Sequence, residues 1–575
     1  MTQEQEPSAA STSESLPINE ETREGTDESI KFVGKHVHLS PELPEFEPEF
    51  YEWKRNFWKE RMKNIKHVVA PMVDQSELAF RMLLRKYDAH LCYTPMIHAH
   101  LFVNDCTYRK TSFTTISSDR PLIVQFCAND PKVFLDACRL VEGYCDGVDL
   151  NLGCPQMIAK RGHYGAFLQE SHELISKMVS MVYKHCRLPL SVKIRVLEDI
   201  PATIKYAKMI QDSGASMLAV HGRKRDQKGQ ATGLADWSYI REIKNALHIP
   251  VIANGNIQMK DDVTKCLLET GVDAVMSAEG ILSNPSLFSG MHMKFNCSIA
   301  QEYLDLAEKY KPCTSAIRAH MFRICHYSLL QHPDLRASTS CVFPISEFRE
   351  IINELERRTK EEAHNTEWVN EAWNDIIGTL PEYSSLVELI EKTPHWICKP
   401  YVRPATREEL DNQSVNYKNF RDNKRAELEK LCNETGLSKR QIRKREKRQI
   451  QQKRYLNKRQ HYPSCENCQL PAGLNCHNGL CKRCCKWECL HKGLNCKGHN
   501  FNQQVMLAKR AAFAEQHGTT VGELLSNEQA KDTYMKLLKN HKKENNPSIS
   551  EPSNLASNEH NNGASQIVNK EKNEM

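Results

Sequence analysis

Residues 122–153, LIVQFCANDPKVFLDACRLVEGYCDGVDLNLG, decide the fold. The stretch opens on an apolar β-rich run, LIVQFC, and closes on another, GVDLNLG. Between them PKVFLDACRLVEGYC sets apolar residues three and four apart, as an amphipathic helix does. Strand, helix and strand follow one another with short connections, and the same alternation extends in both directions. Working outward, the β-rich runs are HVVAP (67–71), HLCYTPMI (90–97), LSVKIRV (190–196), SMLAVHG (216–222), PVIANGN (250–256) and VDAVMSAEG (272–280). Eight such runs separated by helical patterns predict a (β/α)₈ TIM barrel, an α/β fold, in preference to a doubly wound sheet with fewer strands.

That fold places functional side chains at the C-terminal ends of its strands. The polar and reactive residues of these runs stand there: Pro71 and Met72, Gln125, Asn151 and Cys154, Lys193, His221, Asn254 to Asn256, and Ala278 to Gly280. Any one of them alone reads equally well as a satisfied core group. Their recurrence at one strand end after another is what marks a site.

After residue 298 the pattern turns helical, with YLDLAEKY, SAIRAHMFRICHYSLL and FREIINELERRTKEE, and an all-α domain is expected over 298–400. Its more charged part, 345–392, reads as a loosely packed insertion. The chain has 575 residues and a net charge of +6, an average that conceals a block. Between Lys439 and Arg459, eleven Lys/Arg against one acid, Glu446, put +10 on 21 residues, so the rest sums to −4. Block charge speaks of partners, and here it suits a solvated helix, a nuclear import signal or a polyanion contact.

No run reaches the roughly 18 apolar residues that span a bilayer, and MTQEQEPSAASTSESL lacks a signal-peptide profile. The expectation is a soluble, cytoplasmic protein, with nuclear entry compatible with the basic block. Of 22 cysteines, eight crowd between Cys465 and Cys496. Cys465-x₂-Cys468, Cys476, Cys481-x₂-Cys484-Cys485, Cys489, His491 and Cys496-x₂-His499 carry the C-x₂-C hooks of a structural zinc module. Their number exceeds the needs of one ion. Which hooks pair is left open by spacing. The expected organisation is a disordered acidic tail over 1–48, the barrel over 60–297, the helical domain over 298–400 and a basic linker or helix over 401–460. A zinc module over 461–500, a helical segment over 501–545 and a disordered tail over 546–575 complete it.

At Asn151-Leu152-Gly153-Cys154-Pro155, followed by Arg161-Gly162-His163-Tyr164-Gly165-Ala166, the sequence resembles the flavin-dependent tRNA-dihydrouridine synthases. Ala70-Pro71-Met72, Gln125, Lys193-Ile194-Arg195, His221-Gly222-Arg223 and Asn254-Gly255-Asn256 fall in that family's order. His395-Trp396-Ile397-Cys398-Lys399-Pro400-Tyr401 is similar to the eukaryotic branch acting on D-loop uridines 16 and 17. The resemblance implies FMN, NADPH or NADH as reductant, and tRNA as partner. It also implies Cys154 as the acid that protonates the uracil opposite a hydride. FMN contacts are then expected from Pro71, Met72, Val73, Gln125, Lys193, His221, Asn254, Gly255, Asn256 and the backbone of Ala278 and Glu279. Substrate contacts are expected from Asn151, Arg161 and Arg195.

Chemistry agrees on two counts. A thiol with an ordinary pKa near 8.5 is protonated at neutral pH and can donate. An ammonium in the apolar strand SVKIRV is costly unless it meets an anion or a polarised carbonyl. Ala278-Glu279 departs from the family's Gly-Arg, and a Glu side chain repels phosphate. Two other readings stay open at this level: a dihydroorotate- or dihydropyrimidine-type flavin oxidoreductase, and a catalytically inactive RNA-binding protein.

Overall fold

The computed structural model describes residues 29–34, 39–289, 294–364, 366, 384–402, 414–443 and 445. In the Cys/His region it describes 465–468, 472–473, 476–492, 494–499, 501–504, 507–508 and 511. Two compact units divide between Ala426 and Glu427.

In the first unit the β-rich runs become parallel strands: β1 (His67–Val69), β2 (Leu91–Tyr93), β3 (Ile97–His98), β4 (Leu122–Cys127), β5 (Gly147–Leu152), β6 (Leu190–Arg195), β7 (Met217–His221), β8 (Val251–Asn254) and β9 (Ala274–Ser277). Each long strand pairs with its sequence neighbour, β9 pairs with β1, and β2 pairs with β4. The barrel is thereby closed by eight strands. β3 is an extra two-residue strand paired with β4, so the run 90–97 is not one strand. Pro95 offers no N–H to a ladder and breaks it.

Side-chain alternation sorts the strands into two cores. Val69, Cys92, Val124, Leu150, Val192, Val220 and Val275 face the helical layer. Val68, Leu91, Tyr93, Ile123, Met217, Ala219, Ile252 and Met276 fill the barrel interior, with Phe57, Trp58 and Met62 packed against them. Those three aromatic and thioether plugs come from the helix Pro48–Phe57 and the turn Trp58–Met62. The barrel domain therefore begins before residue 60.

The tail expected over 1–48 also needs correction at its C-terminal end. Lys31 forms an antiparallel bridge with Thr115, Val33 is buried, and the Arg109 guanidinium donates to Gly34 O. Backbone pairing and one buried valine hold a segment whose composition is otherwise polar. Residues 1–28 lie outside the described residues.

Helices Asn296–Tyr310, Thr314–Ile324, His326–Gln331, Pro333–Cys341, Ile345–Ala363 and Leu386–Lys392 form the layer beyond the barrel. The insertion expected from 345 is packed for its first half: Phe348, Ile352 and Leu355, four and three apart, are buried in the main core. Nineteen residues rich in charge still carry one apolar stripe, which suffices to dock a helix. Residues 367–383 lie outside the described residues. Tyr303 Oη and His320 Nε2 meet the two oxygens of Glu77, at 2.8 and 3.0 Å, tying this layer to the loop after β1.

In the second unit the region 465–504 is built around helix Lys482–Lys492. Among the described residues no helix is long and apolar enough to cross a membrane. The basic block beyond residue 445 and the segments expected over 512–545 and 546–575 fall outside the described residues.

Candidate active site at the mouth of the barrel

The strand register brings the expected residues to one rim. Asn151 lies beside Lys193, Arg195 beside His221, and His221 beside Asn254. Lys193 Nζ donates to Asn254 Oδ1 at 3.0 Å, and Asn254 Nδ2 donates to Met276 O. Burial pushes the Lys193 ammonium down to about 8, helped by Arg195 and opposed by Asp149 and Cys154. It is thus a cation held near its tipping point.

Cys154 sits half-buried on the loop after β5. Asn151 Oδ1 accepts from the backbone N–H groups of Gly153 and Cys154, at 3.2 and 3.0 Å. From the other side Ala166 N donates to Cys154 O. Gly165, at φ +66°, abuts the same residue so closely that a Cβ there would lie 2.8 Å from Cys154 O. The Gly in RGHYGA is therefore a steric condition for the placement of the thiol. Nearby Cys127 is buried, which pushes its thiol up to about 12 and leaves it inert.

Gln125 is fully buried, with Nε2 donating to Asp149 Oδ2 at 2.7 Å and Oε1 accepting from Asn151 Nδ2 at 2.9 Å. Asp149 is a residue that sequence reasoning passed over. It stands two positions before Asn151 on the same strand, hence on the same inward face, and that period was the available signal. Burial raises its carboxyl to about 6, moderated by the Ser191 and Gln125 side chains and by Lys193.

His221 accepts at Nε2 from Arg223 Nη1 at 2.8 Å, which leaves the proton of a neutral ring on Nδ1. Burial, then Lys193, Arg195 and Arg223, hold it well below the usual imidazole range. Arg223 also donates to Asn256 Oδ1, and the charge of Glu279 supports its guanidinium against burial. Arg223 is the second residue that sequence reasoning passed over as a member of this rim. Asn256, at φ 61°, clasps Ala235 through both ends of its amide, while Gly255, at φ +118°, leaves room for Ala235 and His221. Ala278 precedes the short helix Glu279–Ser283.

Five expected contact residues stand outside that set of bonds. Arg195 spends its guanidinium on the carbonyls of Gly153, Lys224 and Gln227, bracing two loops. Arg161 is exposed on helix Met157–Gly162, beyond the ring of bonded residues. Pro71 and Met72 are half-buried after β1, and Val73 is exposed.

A family model described as "Dihydrouridine synthase (Dus)" matches residues 68–373, the barrel and much of the helical layer. A Mus musculus protein named as a tRNA-dihydrouridine(16/17) synthase, NAD(P)(+)-like, is 42% identical over 460 residues, covering 80% of this chain and 92% of that protein. The chain belongs to the dihydrouridine synthase family. A Saccharomyces cerevisiae tRNA-dihydrouridine(16/17) synthase is 41% identical over 357 residues, 59% of this chain and 84% of that one. A Homo sapiens protein named for positions 20a/20b is 43% identical over 226 residues, 39% of this chain and 70% of its own length. The dihydrouridine synthase thus falls in the 16/17-type branch, as its HWICKPY segment suggested. It is an oxidoreductase enzyme, and flavin use and a tRNA substrate fit its membership.

Proposed function

We propose that this dihydrouridine synthase reduces the C5–C6 double bond of D-loop uridines 16 and 17 of tRNA to 5,6-dihydrouridine, with FMN at the barrel mouth and NADPH or NADH as reductant. The observation that carries the reading is the anchored Cys154 loop facing a rim that holds Lys193, His221 and Asn254. The residues present fit a flavin: a half-buried ammonium whose side-chain bond is to one amide oxygen, and beside it a neutral histidine. When bound at these residues, FMN would supply the hydride for one carbon of the uracil double bond.

The chain's residues do the rest. Cys154 holds the proton at Sγ and delivers it to the other carbon. Lys193 would meet the pyrimidine edge of a bound flavin, Gln125 would act from beneath through Asp149 and Asn151 and not by direct contact, and Pro71, Met72 and Val73 would floor the site. Asn254, Gly255, Asn256 and the backbone of Ala278 and Glu279 would hold the phosphate of that group, with the Arg223 guanidinium offsetting the Glu279 carboxylate. Asn151 and Arg195 set the substrate loop, and Arg161 meets the RNA. The basic block grips the tRNA backbone while the base is extruded. The Cys/His module holds zinc as a structural element.

The test uses the purified full chain reduced with NADPH. Reoxidation by tRNA lacking dihydrouridine is the expected result, with dihydrouridine appearing at the D-loop. Reoxidation by free orotate or uracil but not tRNA would overturn the reading. So would a chain that binds tRNA and carries no flavin.

A further inference from the structure

Eight side chains of the second unit fall into two groups of four. Ligand atoms of Cys465, Cys468, Cys481 and Cys484 all lie within 4.8 Å of one another, and so do those of Cys476, Cys485, Cys496 and His499. Tetrahedral zinc with Zn–S bonds of about 2.3 Å places its sulfurs about 3.8 Å apart. Cys468 and Cys481 sulfurs are 3.5 Å apart, and Cys496 Sγ lies 3.7 Å from His499 Nδ1. The Cys484 N–H points at Cys481 Sγ at 3.5 Å, the kind of backbone support that a thiolate receives.

We propose that residues 465–499 bind two structural zinc ions in an interleaved cross-brace, the first held by Cys465, Cys468, Cys481 and Cys484, the second by Cys476, Cys485, Cys496 and His499. This deepens the zinc reading above, which left count and pairing open. It does not depend on the flavin chemistry, so the two fail separately.

In chain order the sites alternate: two ligands for the first ion, one for the second, two for the first, three for the second. Neighbours Cys484 and Cys485 on helix Lys482–Lys492 serve different ions, so each site fixes the helix that the other needs. Sequential filling would instead group Cys465, Cys468, Cys476 and Cys481, and the geometry separates Cys476 from the other three. The local packing agrees. Gly473 lies where a Cβ would come within 2.5 Å of His499 Nε2, so only a glycine lets the ring turn Nδ1 to the sulfurs. Cys496 and Phe501 exchange backbone bonds at 3.0 and 2.9 Å, closing the loop that carries His499.

The composition of the core gives the reason for metal. Among the described residues, the buried cluster here is made of cysteines together with Ala472, Leu480 and Phe501. A core built so largely of thiols gains its folding free energy from metal ligation, which two closed thiolate sites supply. Four protein ligands per ion leave no open position, which assigns a structural role. Cys489 is buried with its sulfur 3.8 Å from Cys485, but it lies outside the second group and is not a ligand.

Metal analysis of the full-length chain should return two zinc per chain. One or none, or iron in place of zinc, overturns the proposal. Pairing is read from cobalt-substituted chains, because an S₄ site and an S₃N site differ in their visible d–d bands. The wild type should show one of each. In Cys476→His the interleaved arrangement keeps the S₄ bands, whereas sequential filling loses them. In Cys484→His the outcomes reverse: interleaving loses the S₄ bands and sequential filling keeps them. Should a variant site fail to hold metal, the ion that remains still reports which pairing exists. Cys489→Ser should keep both ions, and loss of one would overturn the assigned second set.

Discussion

Gln125 Nε2 donates to Asp149 Oδ2 at 2.7 Å beneath the barrel mouth, and this bond fixes which way the amide points. With its nitrogen committed to the carboxylate, Gln125 presents Oε1 to Asn151 Nδ2, and Asn151 in turn presents Oδ1 to the Cys154 N–H. The polarity runs one way, from a buried acid to the loop of the thiol. Asp149→Asn keeps the shape and removes the direction, since an amide can satisfy either orientation of Gln125. Losing one such charge-assisted bond costs roughly 1.5–3 kcal/mol. The rate at which tRNA reoxidises the reduced enzyme should therefore fall at least about tenfold. Rapid-mixing spectroscopy of the flavin measures it, and a full-rate variant would show that the relay is idle.

The same carboxyl gives a pH dependence with a definite sign. Its pKa in the folded chain is about 6, above the value of about 3.9 in an unfolded one. The unfolded state thus binds fewer protons between those values, so this group favours folding below them and loses that contribution as pH rises through about 6. The cost above that point is about 3 kcal/mol. Measured against Asp149→Asn, the wild type should gain stability between about pH 7 and pH 5. Denaturant midpoints that shift in parallel for both chains would contradict the assignment.

Gly165→Ala should damage the site without touching its chemistry. The position combines φ +66° with a Cβ that would press on Cys154 O at 2.8 Å. A non-glycine residue held there costs about 1–3 kcal/mol, and relief comes only by moving the Cys154 loop. Expected are a modestly lower melting temperature and a larger fall in tRNA reduction. The discriminating measurement is the alkylation rate of Cys154, which should change relative to wild type.

How much of this was legible in the sequence follows from the physics of each part. The barrel was, because buried parallel strands read as apolar runs and crossover helices as 3.6-residue stripes. The rim was too, because a polar side chain closing a buried apolar run costs free energy unless a partner or a ligand meets it. Asp149 was hidden inside GVDLNLG, where a single acid in an apolar strand looks like noise until the register sets it beside Gln125. Arg223 was quoted beside His221 but given no role, since its value lies in a Glu279 that is remote in sequence. The docking of 345–363 was obscured by charge, which sits on one face and leaves the Phe348, Ile352, Leu355 stripe intact. The grouping of the Cys/His side chains into two sets of four was out of reach, because it is a property of the folded loops and not of their spacing.

Lys193→Gln tests the rim's charge. The ammonium is pushed down to about 8 by burial yet keeps Asp149 and Cys154 as supporting neighbours. Glutamine retains a donor toward Asn254 and loses the cation, so the fold is spared. Flavin should bind more weakly and NADPH reduction should slow, because the anionic reduced form loses its counter-charge. Flavin content after gel filtration and the reduction rate would decide it; unchanged values for both would remove Lys193 from the cofactor site.

Deleting residues 436–460 tests the proposed RNA grip. The segment between Lys439 and Arg459 carries +10, and each phosphate it neutralises releases counterions. The truncated chain should bind tRNA more weakly at low salt and show a flatter fall of affinity with rising salt. Because the barrel site is intact, a saturating tRNA concentration should restore the rate of flavin reoxidation, so KM rises while kcat holds. The block is then a handle and not part of the chemistry. A deletion that leaves the affinity and its salt slope unchanged would assign the charge to another partner, and the tRNA grip would have to come from the first unit.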